Sequence, residues 1–297
     1  MAEAGDAKKK TQPEGRIKVD LAGQVALVTG ASQGLGRAIA EALAASGAHV
    51  ALVARSADKL AEVAAAITTA GGKAEAFPCD VMKAEAIQQV VDTVVEKLGR
   101  LDVLVNNAGY AQYGPVEDVS IDAARRQFDV NIFGLARLTQ LVIPHMRAQG
   151  KGTIVNISSM GGRIYTPLGA WYHATKHALE GWSDCLRVEL KPMGIDVVIV
   201  EPGGIATEFS DVLAQHTAEV SAPYADLHSK VVRFLSDPTS ASKLSPPSLI
   251  ADTILDAIQS SKPKGRYMTG YLAKPMWRLR RFGGDGLYDR AVSRFLQ

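Results

Sequence analysis

Short apolar runs rich in β-branched residues alternate with segments of helical periodicity along this 297-residue chain. The runs are VALVTG from 25, HVALVA from 49, the run ending in FPCD, LDVLVNN from 101, GTIVNIS from 152, IDVVIVEP from 195 and a weaker one, GRYMTG, from 265. Apolar strands that alternate with helices form a parallel sheet, because each helix returns the chain to the same edge and covers one face. The pattern therefore predicts one α/β domain, a doubly wound parallel sheet of about seven strands.

A glycine-rich turn follows the first predicted strand and opens the first helix. Its sequence is TGASQGLG, and the candidate cofactor contacts in it are Gly30, Ser32, Gln33, Gly34, Leu35 and Gly36. Backbone N–H groups at a helix N-terminus attract phosphate, and glycines let the backbone approach it closely. The glycine spacing is GxxxGxG rather than GxGxxG. The strand, turn and helix context nevertheless predicts a site for a dinucleotide pyrophosphate.

The end of the second predicted strand indicates which dinucleotide binds. An acidic residue at this point holds the ribose 2′-hydroxyl of NAD, whereas a cation and a hydroxyl suit the 2′-phosphate of NADP. Here Ala54 is followed by Arg55 and Ser56, and Arg37 after the glycine turn adds positive charge. The sequence therefore predicts a preference for NADP(H), with NAD(H) as the alternative.

Polar residues follow the third and fourth predicted strands, at the edge where parallel sheets bind ligands. Asp80 and Val81 follow the third strand, and Asp80 is placed to accept a hydrogen bond from an adenine amino group. Asn107 and Gly109 are further candidate cofactor contacts. For the preceding Asn106, a structural bond to neighbouring backbone is at least as well supported as contact with a ligand.

Ser159, Tyr172 and Lys176 form the combination that indicates a reaction. Tyr172 and Lys176 are spaced so that a helix places the phenol and the ammonium on one face. A phenol titrates near pH 10, so its use near neutrality requires a shift of roughly three units, which a nearby ammonium favours. A serine hydroxyl after the fifth strand can hydrogen-bond a carbonyl oxygen and hold it against the phenol. Because exposed helical pairs share this spacing, the interpretation depends on the other motifs.

The ordered motifs resemble those of the short-chain dehydrogenase/reductase family over about residues 21 to 270. They are TGASQGLG, CD at 79, NNAG at 106, Asn131, SS at 158, YxxxK at 172 and PGGIAT at 202. The resemblance implies a single Rossmann-like domain and a catalytic tetrad of Asn131, Ser159, Tyr172 and Lys176. It also implies a homodimer or a homotetramer.

The resemblance implies a role for each of these residues. Tyr172 exchanges a proton with the carbonyl or alcohol oxygen as hydride moves from or to nicotinamide, and Ser159 orients the carbonyl. Lys176 lowers the pKa of the phenol and binds the nicotinamide ribose, so Tyr172 and Lys176 also count as cofactor contacts. Asn131 supports a water that relays protons through Lys176. The turn after the sixth strand is similar to the family's nicotinamide-binding segment and contributes Pro202, Gly203, Ile205 and Thr207.

The stretch from 208 to 245 lies where this family closes its substrate pocket, and it is predicted to be a lid. Its candidate pocket residues are Leu213, Tyr224, Val231, Phe234 and Leu235. Candidates that flank the catalytic positions are Tyr110, Tyr113, Ile164, Tyr165 and Trp171. Plain packing is the alternative for both sets. His173 and His177 are interpreted as residues of a helix surface or an interface.

Both ends of the chain are more basic than its middle. Residues 1 to 20 are polar and are predicted to form a disordered tail. Residues 271 to 297 form a basic extension with interspersed aromatic residues, for which packing beside the pocket is favoured over contact with an anionic membrane. The formal net charge of +2 gives no reason to expect a nucleic-acid partner.

Cysteine usage and hydropathy set the remaining expectations. Cys79 and Cys185 indicate neither a disulfide framework nor a metal site, and without an apolar signal segment a cytoplasmic location is expected.

We predict an NADP(H)-dependent oxidoreductase that interconverts a ketone or aldehyde and an alcohol, on an apolar steroid-like, retinoid-like or lipid-like carbonyl. The alternatives are an NAD-linked alcohol dehydrogenase, an acyl-thioester ketoreductase and a non-catalytic dinucleotide sensor.

Overall fold

The computed structural model describes residues 20–207, 220–236 and 242–295, and one sheet of seven strands organises this part of the chain. The strands are β1 Val25–Thr29, β2 His49–Ala54, β3 Lys73–Pro78, β4 Val103–Asn106, β5 Gly152–Ile157, β6 Ile195–Pro202 and β7 Arg266–Thr269. Their order across the sheet is β3-β2-β1-β4-β5-β6-β7, and every neighbouring pair is parallel. The predicted doubly wound α/β fold is confirmed, and each of the predicted runs forms a strand.

Helices connect the strands and cover the sheet. They are α1 Gly34–Ala45, α2 Ala57–Thr69, α3 Ala84–Leu98, α4 Ile121–Phe128, α5 Leu135–Gln149, α6 Ala170–Leu190, α7 Ala225–Ser236, α8 Pro247–Gln259 and α9 Ala273–Phe295. The helical region between β4 and β5 is not continuous, because a π-helical segment, Asp129–Gly134, separates α4 from α5. Such segments are frequent at functional sites, and this one carries Asn131.

Both faces of the sheet are buried, which accounts for the uninterrupted apolar runs. All five residues of β1 are buried, and successive side chains point to opposite faces. Ala26 and Val28 join a cluster with residues of α1, α2 and α8. Val25 and Leu27 join a second cluster with residues of α3, α5 and α6. Since burying one large aliphatic side chain contributes roughly 1.5–3 kcal/mol, these two layers hold the sheet rigidly beneath its loops.

Strand β1 lies between β2 and β4, so the direction of winding reverses beside it. At such a switch point the loops after neighbouring strands diverge and leave a crevice at the carboxyl edge of the sheet. Asn106 ends β4 below this crevice and is buried. Its Nδ2 donates to Thr139 Oγ1 at 3.0 Å and to Asn156 Oδ1 at 2.9 Å. These bonds favour the structural interpretation of Asn106.

The basic carboxyl-terminal extension folds back on the domain as helix α9, which bends at Gly284 (φ 72°, ψ 177°). Beyond the bend, Tyr288 is fully buried and donates to the Tyr165 carbonyl oxygen at 2.8 Å. It packs with Ile164 and Met276 in a small apolar cluster. The extension therefore packs beside the pocket. None of the helices in the described ranges is both long enough and apolar enough to cross a membrane.

Some predicted features fall outside the described residues. The tail predicted at 1 to 20 is described only at Asp20, and the lid predicted at 208 to 245 only at 220–236 and 242–245. Leu213 and the side chains of Phe234 and Leu235 therefore lie outside the described part of the chain. The proposed roles of these residues stay predictions.

Candidate active site

A cavity of about 950 Å³ opens at the carboxyl edge of the sheet. All the cofactor contacts predicted from the sequence line it: Gly30, Ser32, Gln33, Gly34, Leu35, Gly36, Arg55, Ser56, Asp80, Val81, Asn107, Gly109, Tyr172, Lys176, Pro202, Gly203, Ile205 and Thr207. Ser159 lines it as well, whereas Asn131 is not among its lining residues. The cavity therefore gathers motifs that lie far apart in the sequence.

The glycine turn after β1 is shaped by close backbone packing. Gly30 has a left-handed φ of 66°, which favours glycine. A Cβ on Gly36 would overlap the Gly30 carbonyl oxygen and lie 2.5 Å from Asn107 Nδ2, so this position also requires glycine. Asn107 Nδ2 donates to the Thr29 carbonyl oxygen at 2.9 Å. Asn107 therefore fixes the turn as well as lining the cavity.

Helix α1 presents its N-terminus to the cavity without a side-chain cap. The N-cap residue Gln33 makes no capping hydrogen bond, and the first turn of α1 contains no acidic residue. Gln33, Gly34 and Leu35 line the cavity at this point. Unpaired N–H groups and the helix dipole together favour an anion. The arrangement fits the pyrophosphate of a dinucleotide.

Two exposed cations, Arg55 and Lys59, line the cavity beyond β2. Ser56 caps helix α2 by accepting a long hydrogen bond from the Lys59 N–H at 3.5 Å. Lys59 Nζ donates to Gln33 Oε1 at 2.9 Å, which directs the ammonium toward the glycine turn. Lys59 was not predicted from the sequence. Its place in the first turn of a helix capped by Ser56 was the available signal.

Two further arginines differ in whether they line the cavity. Arg37, expected to add positive charge, is exposed, is absent from the cavity lining and pairs with Glu41 at 2.7 Å. The nearby carboxylate offsets its charge. Arg126, which was not predicted, lines the cavity from α4. Burial raises the pKa of the Tyr110 phenol beside it, and the Arg126 charge opposes that rise.

Residues after β3 and β4 are fixed by local hydrogen bonds. Asp80 Oδ1 accepts from the Met82 N–H at 3.0 Å. Asn131 is buried, and its Nδ2 donates to the Tyr110 carbonyl oxygen and to Thr175 Oγ1, both at 3.0 Å. Its Oδ1 accepts from the Tyr110 N–H at 3.1 Å. Asn131 thus ties the π-helical segment to the loop after β4 and to helix α6, while its role toward a water stays a prediction.

The segment after β6 runs close to the chain that follows β7. The Gly203 N–H donates to the Thr269 carbonyl oxygen at 2.8 Å, and the Gly204 N–H donates to the Tyr271 carbonyl oxygen at 2.9 Å. A Cβ on Gly203 would overlap that Tyr271 oxygen. Ile205 forms a β-bridge to Ser245, the last residue of the predicted lid. This packing holds the predicted nicotinamide-binding segment against the cavity.

Ser159, Tyr172 and Lys176 converge on the cavity from the end of β5 and from helix α6. The Ser159 hydroxyl is hydrogen-bonded to the Tyr172 phenol. Ser159 Oγ also accepts from the Gly161 N–H at 3.0 Å. Lys176 Nζ donates to the Ile157 carbonyl oxygen at 2.8 Å and lies 5.9 Å from the centroid of the Tyr172 ring. The predicted helical spacing therefore does place the ammonium beside the phenol.

Burial dominates the titration of both groups. It raises the pKa of Tyr172, the hydrogen bond with Ser159 opposes the rise, and Tyr113 adds to it. In the chain alone the pKa of the phenol is therefore raised, not lowered as the family resemblance implies. Burial also lowers the pKa of Lys176 to about 8, and the charge of Glu180 opposes that fall. At pH 7 the phenol keeps its proton and the amine is mostly an ammonium.

The remaining part of the cavity is largely apolar, and we call it the substrate half. Its lining residues are Tyr113, Met160, Ile164, Thr166, Pro167, Val231, Leu244, Tyr271, Leu272, Met276 and Val292. None of these described residues carries a full charge. Tyr113, Ile164 and Val231 were predicted here, and Tyr110 lines the cavity as well. Met276 and Val292 come from helix α9, so the carboxyl-terminal extension forms part of the wall.

Of the predicted pocket residues whose side chains the structure describes, three are not among those that line the cavity. Tyr165 donates to Asp289 Oδ1 at 2.7 Å on helix α9. Tyr224 is hydrogen-bonded to Glu117. Trp171 is the third. Closeness in sequence to a catalytic residue does not fix the direction of a side chain, which depends on the local backbone.

His173 was predicted at a helix surface or an interface, and this prediction was wrong. The side chain is buried with 6% exposed, because the loop after β5 folds over it. His177, one turn further along α6, is exposed as predicted, and its Nδ1 bonds the His173 carbonyl oxygen at 2.8 Å.

Comparisons with known proteins agree with this arrangement. A family model described as short chain dehydrogenase matches residues 24–218. An oxidoreductase of Botryotinia fuckeliana is 36% identical over 245 residues, which cover 82% of this chain and 87% of that protein. The solved structure of a Streptomyces avermitilis short-chain dehydrogenase is 36% identical, with a TM-score of 0.78 and coverage of 91% of this chain and 97% of that one. A metagenomic short-chain oxidoreductase solved in complex with NADP is 32% identical, with a TM-score of 0.68 and coverage of 84% and 97%.

The family model covers well over half of the chain, and it spans the strands that carry the glycine turn and the Ser159, Tyr172 and Lys176 side chains. This chain is an oxidoreductase of the short-chain dehydrogenase family.

Proposed function

We propose that this protein is an NADP(H)-dependent oxidoreductase that reduces the carbonyl group of a moderately large apolar ketone or aldehyde, or oxidises the corresponding alcohol. The observation that carries the proposal is the place of Ser159, Tyr172 and Lys176 in the cavity. They line the same cavity as the predicted dinucleotide contacts and the apolar substrate half. An acid, a hydrogen-bond donor and a cation that meet there have the composition that carbonyl reduction requires.

Different residues of the chain orient the substrate oxygen, protonate it and stabilise the phenolate that remains. A bound nicotinamide dinucleotide supplies or accepts the hydride. The Ser159 hydroxyl orients the carbonyl oxygen, and Tyr172, which holds its proton at pH 7, donates that proton to the oxygen. The Lys176 ammonium favours the phenolate that remains. In the direction of alcohol oxidation, the same phenolate takes the proton back.

The preference for NADP(H) rests on the charges after β2. Among the described residues that follow β2 and line the cavity none is acidic, and Arg55 and Lys59 supply two cations that we assign to the 2′-phosphate. The 2′-phosphate of NADP forms charge-assisted hydrogen bonds with such groups, whereas the ribose of NAD has no charge there to pair with them. The NADP complex of the metagenomic relative supports the same cofactor. An NAD-linked alcohol dehydrogenase is the alternative.

The class of substrate follows from the lining of the substrate half. Without a full charge among its described residues, it favours neutral apolar molecules over phosphorylated or carboxylated ones. Steroid-like, retinoid-like and lipid-like carbonyls meet this requirement. An acyl-thioester ketoreductase is the competing assignment within the family.

Val292→Asp tests the apolar substrate half, because Val292 is only partly buried and its replacement adds a charge to the wall. We expect kcat/KM for apolar ketones to fall about tenfold, since part of the apolar contact is lost. NADPH affinity should not change. The measurement is NADPH oxidation with apolar ketones of increasing size and with acetoacetyl thioesters.

Val116→Asp is the matched control, since Val116 is 62% exposed and does not line the cavity. It should leave kcat/KM unchanged. Rapid turnover of acetoacetyl thioesters together with no turnover of the apolar ketones would contradict the proposed substrate class.

A further inference from the structure

The imidazole of His173 is enclosed by the loop that carries Ser159. A Cβ on Gly161 would lie 3.1 Å from His173 Nδ1, and a Cβ on Gly169 would lie 2.8 Å from its Cδ2. The ring also packs edge-on against Tyr172, with centroids 5.7 Å apart. Residues from both ends of the loop therefore pack directly on one side chain.

The hydrogen bonds of His173 fix its tautomer. Nδ1 lies 2.8 Å from the Gly161 carbonyl oxygen, which can only accept, so Nδ1 carries the proton. Nε2 accepts from the Thr166 N–H at 3.0 Å and therefore carries the lone pair. Burial lowers the pKa of the imidazole, although the bond to Gly161 opposes this, and the ring is neutral at pH 7.

Both backbone polar groups of Gly161 form hydrogen bonds with side chains. Its carbonyl oxygen accepts from His173, and its N–H donates to Ser159 Oγ at 3.0 Å. A hydroxyl that already accepts from a fixed N–H keeps its own hydrogen free for donation. The hydrogen of Ser159 is then directed to the neighbouring phenol oxygen or to a substrate carbonyl. His173 thus acts on Ser159 through one glycine residue.

We propose that His173 is a positioning residue that, through Gly161, holds the Ser159 hydroxyl in the orientation that donates to the reacting oxygen. The inference rests on the proposed function, because it assigns a purpose to the orientation of Ser159. It also accounts for a histidine buried next to the catalytic tyrosine. A donor at the Nδ1 position is what the role requires.

Two substitutions test the hydrogen bonds of the two ring nitrogens separately. In His173→Asn the amide nitrogen takes the place of Nδ1 and keeps a donor for Gly161. In His173→Gln the amide lies near the place of Nε2 and keeps an acceptor for Thr166 only. We expect His173→Gln to lower kcat about tenfold and His173→Asn to lower it about twofold. NADPH affinity should remain within about twofold of wild type in both variants, since neither ring nitrogen of His173 contacts the glycine turn.

A double-mutant cycle then tests whether His173 acts through Ser159. Ser159→Ala should lower kcat about a hundredfold, as loss of one preorganised donor does. Adding His173→Gln to Ser159→Ala should lower kcat no further, because the oriented hydroxyl is already gone. Losses that multiply to about a thousandfold, or equal losses in the Asn and Gln variants, would overturn the inference.

The wild-type protein provides a test that does not depend on how the variants fold. Nitrogen NMR of 15N-histidine-labelled protein at pH 7 should show an Nδ1–H tautomer for His173, with His173→Asn used to assign the signal. An Nε2–H tautomer would overturn the inference. Absence of carbonyl reduction by the wild type would instead refute the proposed function, so the two failures are distinguishable.

Discussion

Tyr172→Phe is expected to lower the rate of NADPH-dependent ketone reduction by about a thousandfold, because it removes the group proposed to protonate the reacting oxygen. The ring remains, so packing against Tyr113 and His173 is preserved. NADPH affinity should therefore be close to that of wild type. The rate is measured as NADPH oxidation under saturating substrate, and affinity is measured by fluorescence titration.

Tyr113→Phe is the matched control for this substitution. Tyr113 also lines the cavity, its ring centroid lies 6.2 Å from that of Tyr172, and its hydroxyl lies 3.4 Å from Thr166 Oγ1. Since it belongs to the substrate half, its loss should change KM more than kcat. A Tyr172→Phe enzyme that reduces ketones at the wild-type rate would exclude the phenol as proton donor.

Arg55→Ala combined with Lys59→Gln is expected to weaken NADPH binding about a hundredfold, about tenfold for each cation. Both side chains are exposed, so the effect of each is smaller than that of a buried ion pair, and it should shrink as salt is added. NADH binding should change less, because Arg55 and Lys59 are proposed to pair with the 2′-phosphate, which NADH lacks. Fluorescence titration of the two cofactors with wild type and variants measures the difference.

Arg37→Ala provides the control, since Arg37 pairs with Glu41 and does not line the cavity. Its cofactor affinities should match those of wild type. Adding Ala54→Asp to Arg55→Ala should turn the preference toward NADH, because it supplies a carboxylate for the ribose hydroxyls. Equal loss of NADPH and NADH affinity in the double variant would contradict the assignment of these cations to the 2′-phosphate.

Much of this site was predictable because its residues act through local backbone geometry. The glycine turn, the apolar strands and the four-residue spacing of Tyr172 and Lys176 each depend on periodicity within a few residues. Parallel topology then brings the strand ends to one edge without further information. For this reason the predicted cofactor contacts all line one cavity.

The parts that were missed depend on contacts between distant segments. His173 is buried because the loop after β5 folds over it, and no pattern along α6 encodes that loop. Lys59 is held toward the glycine turn by its hydrogen bond to Gln33, a residue of a different βα unit. Met276 and Val292 become pocket residues because the two parts of helix α9, before and after Gly284, both pack against the cavity. The homo-oligomer, the domain limits and the cytoplasmic location stay predictions.

The most direct test of NADP(H)-dependent carbonyl reduction is a stoichiometric turnover experiment. Wild-type protein is mixed with NADPH and an apolar ketone, NADPH loss is followed by absorbance, and the alcohol is quantified by chromatography, with Tyr172→Phe as the control. We expect one alcohol for each NADPH consumed and almost none with Tyr172→Phe. Tight NADPH binding without consumption of either reactant, in either direction and across the ketone series, would contradict the proposal and indicate a dinucleotide sensor.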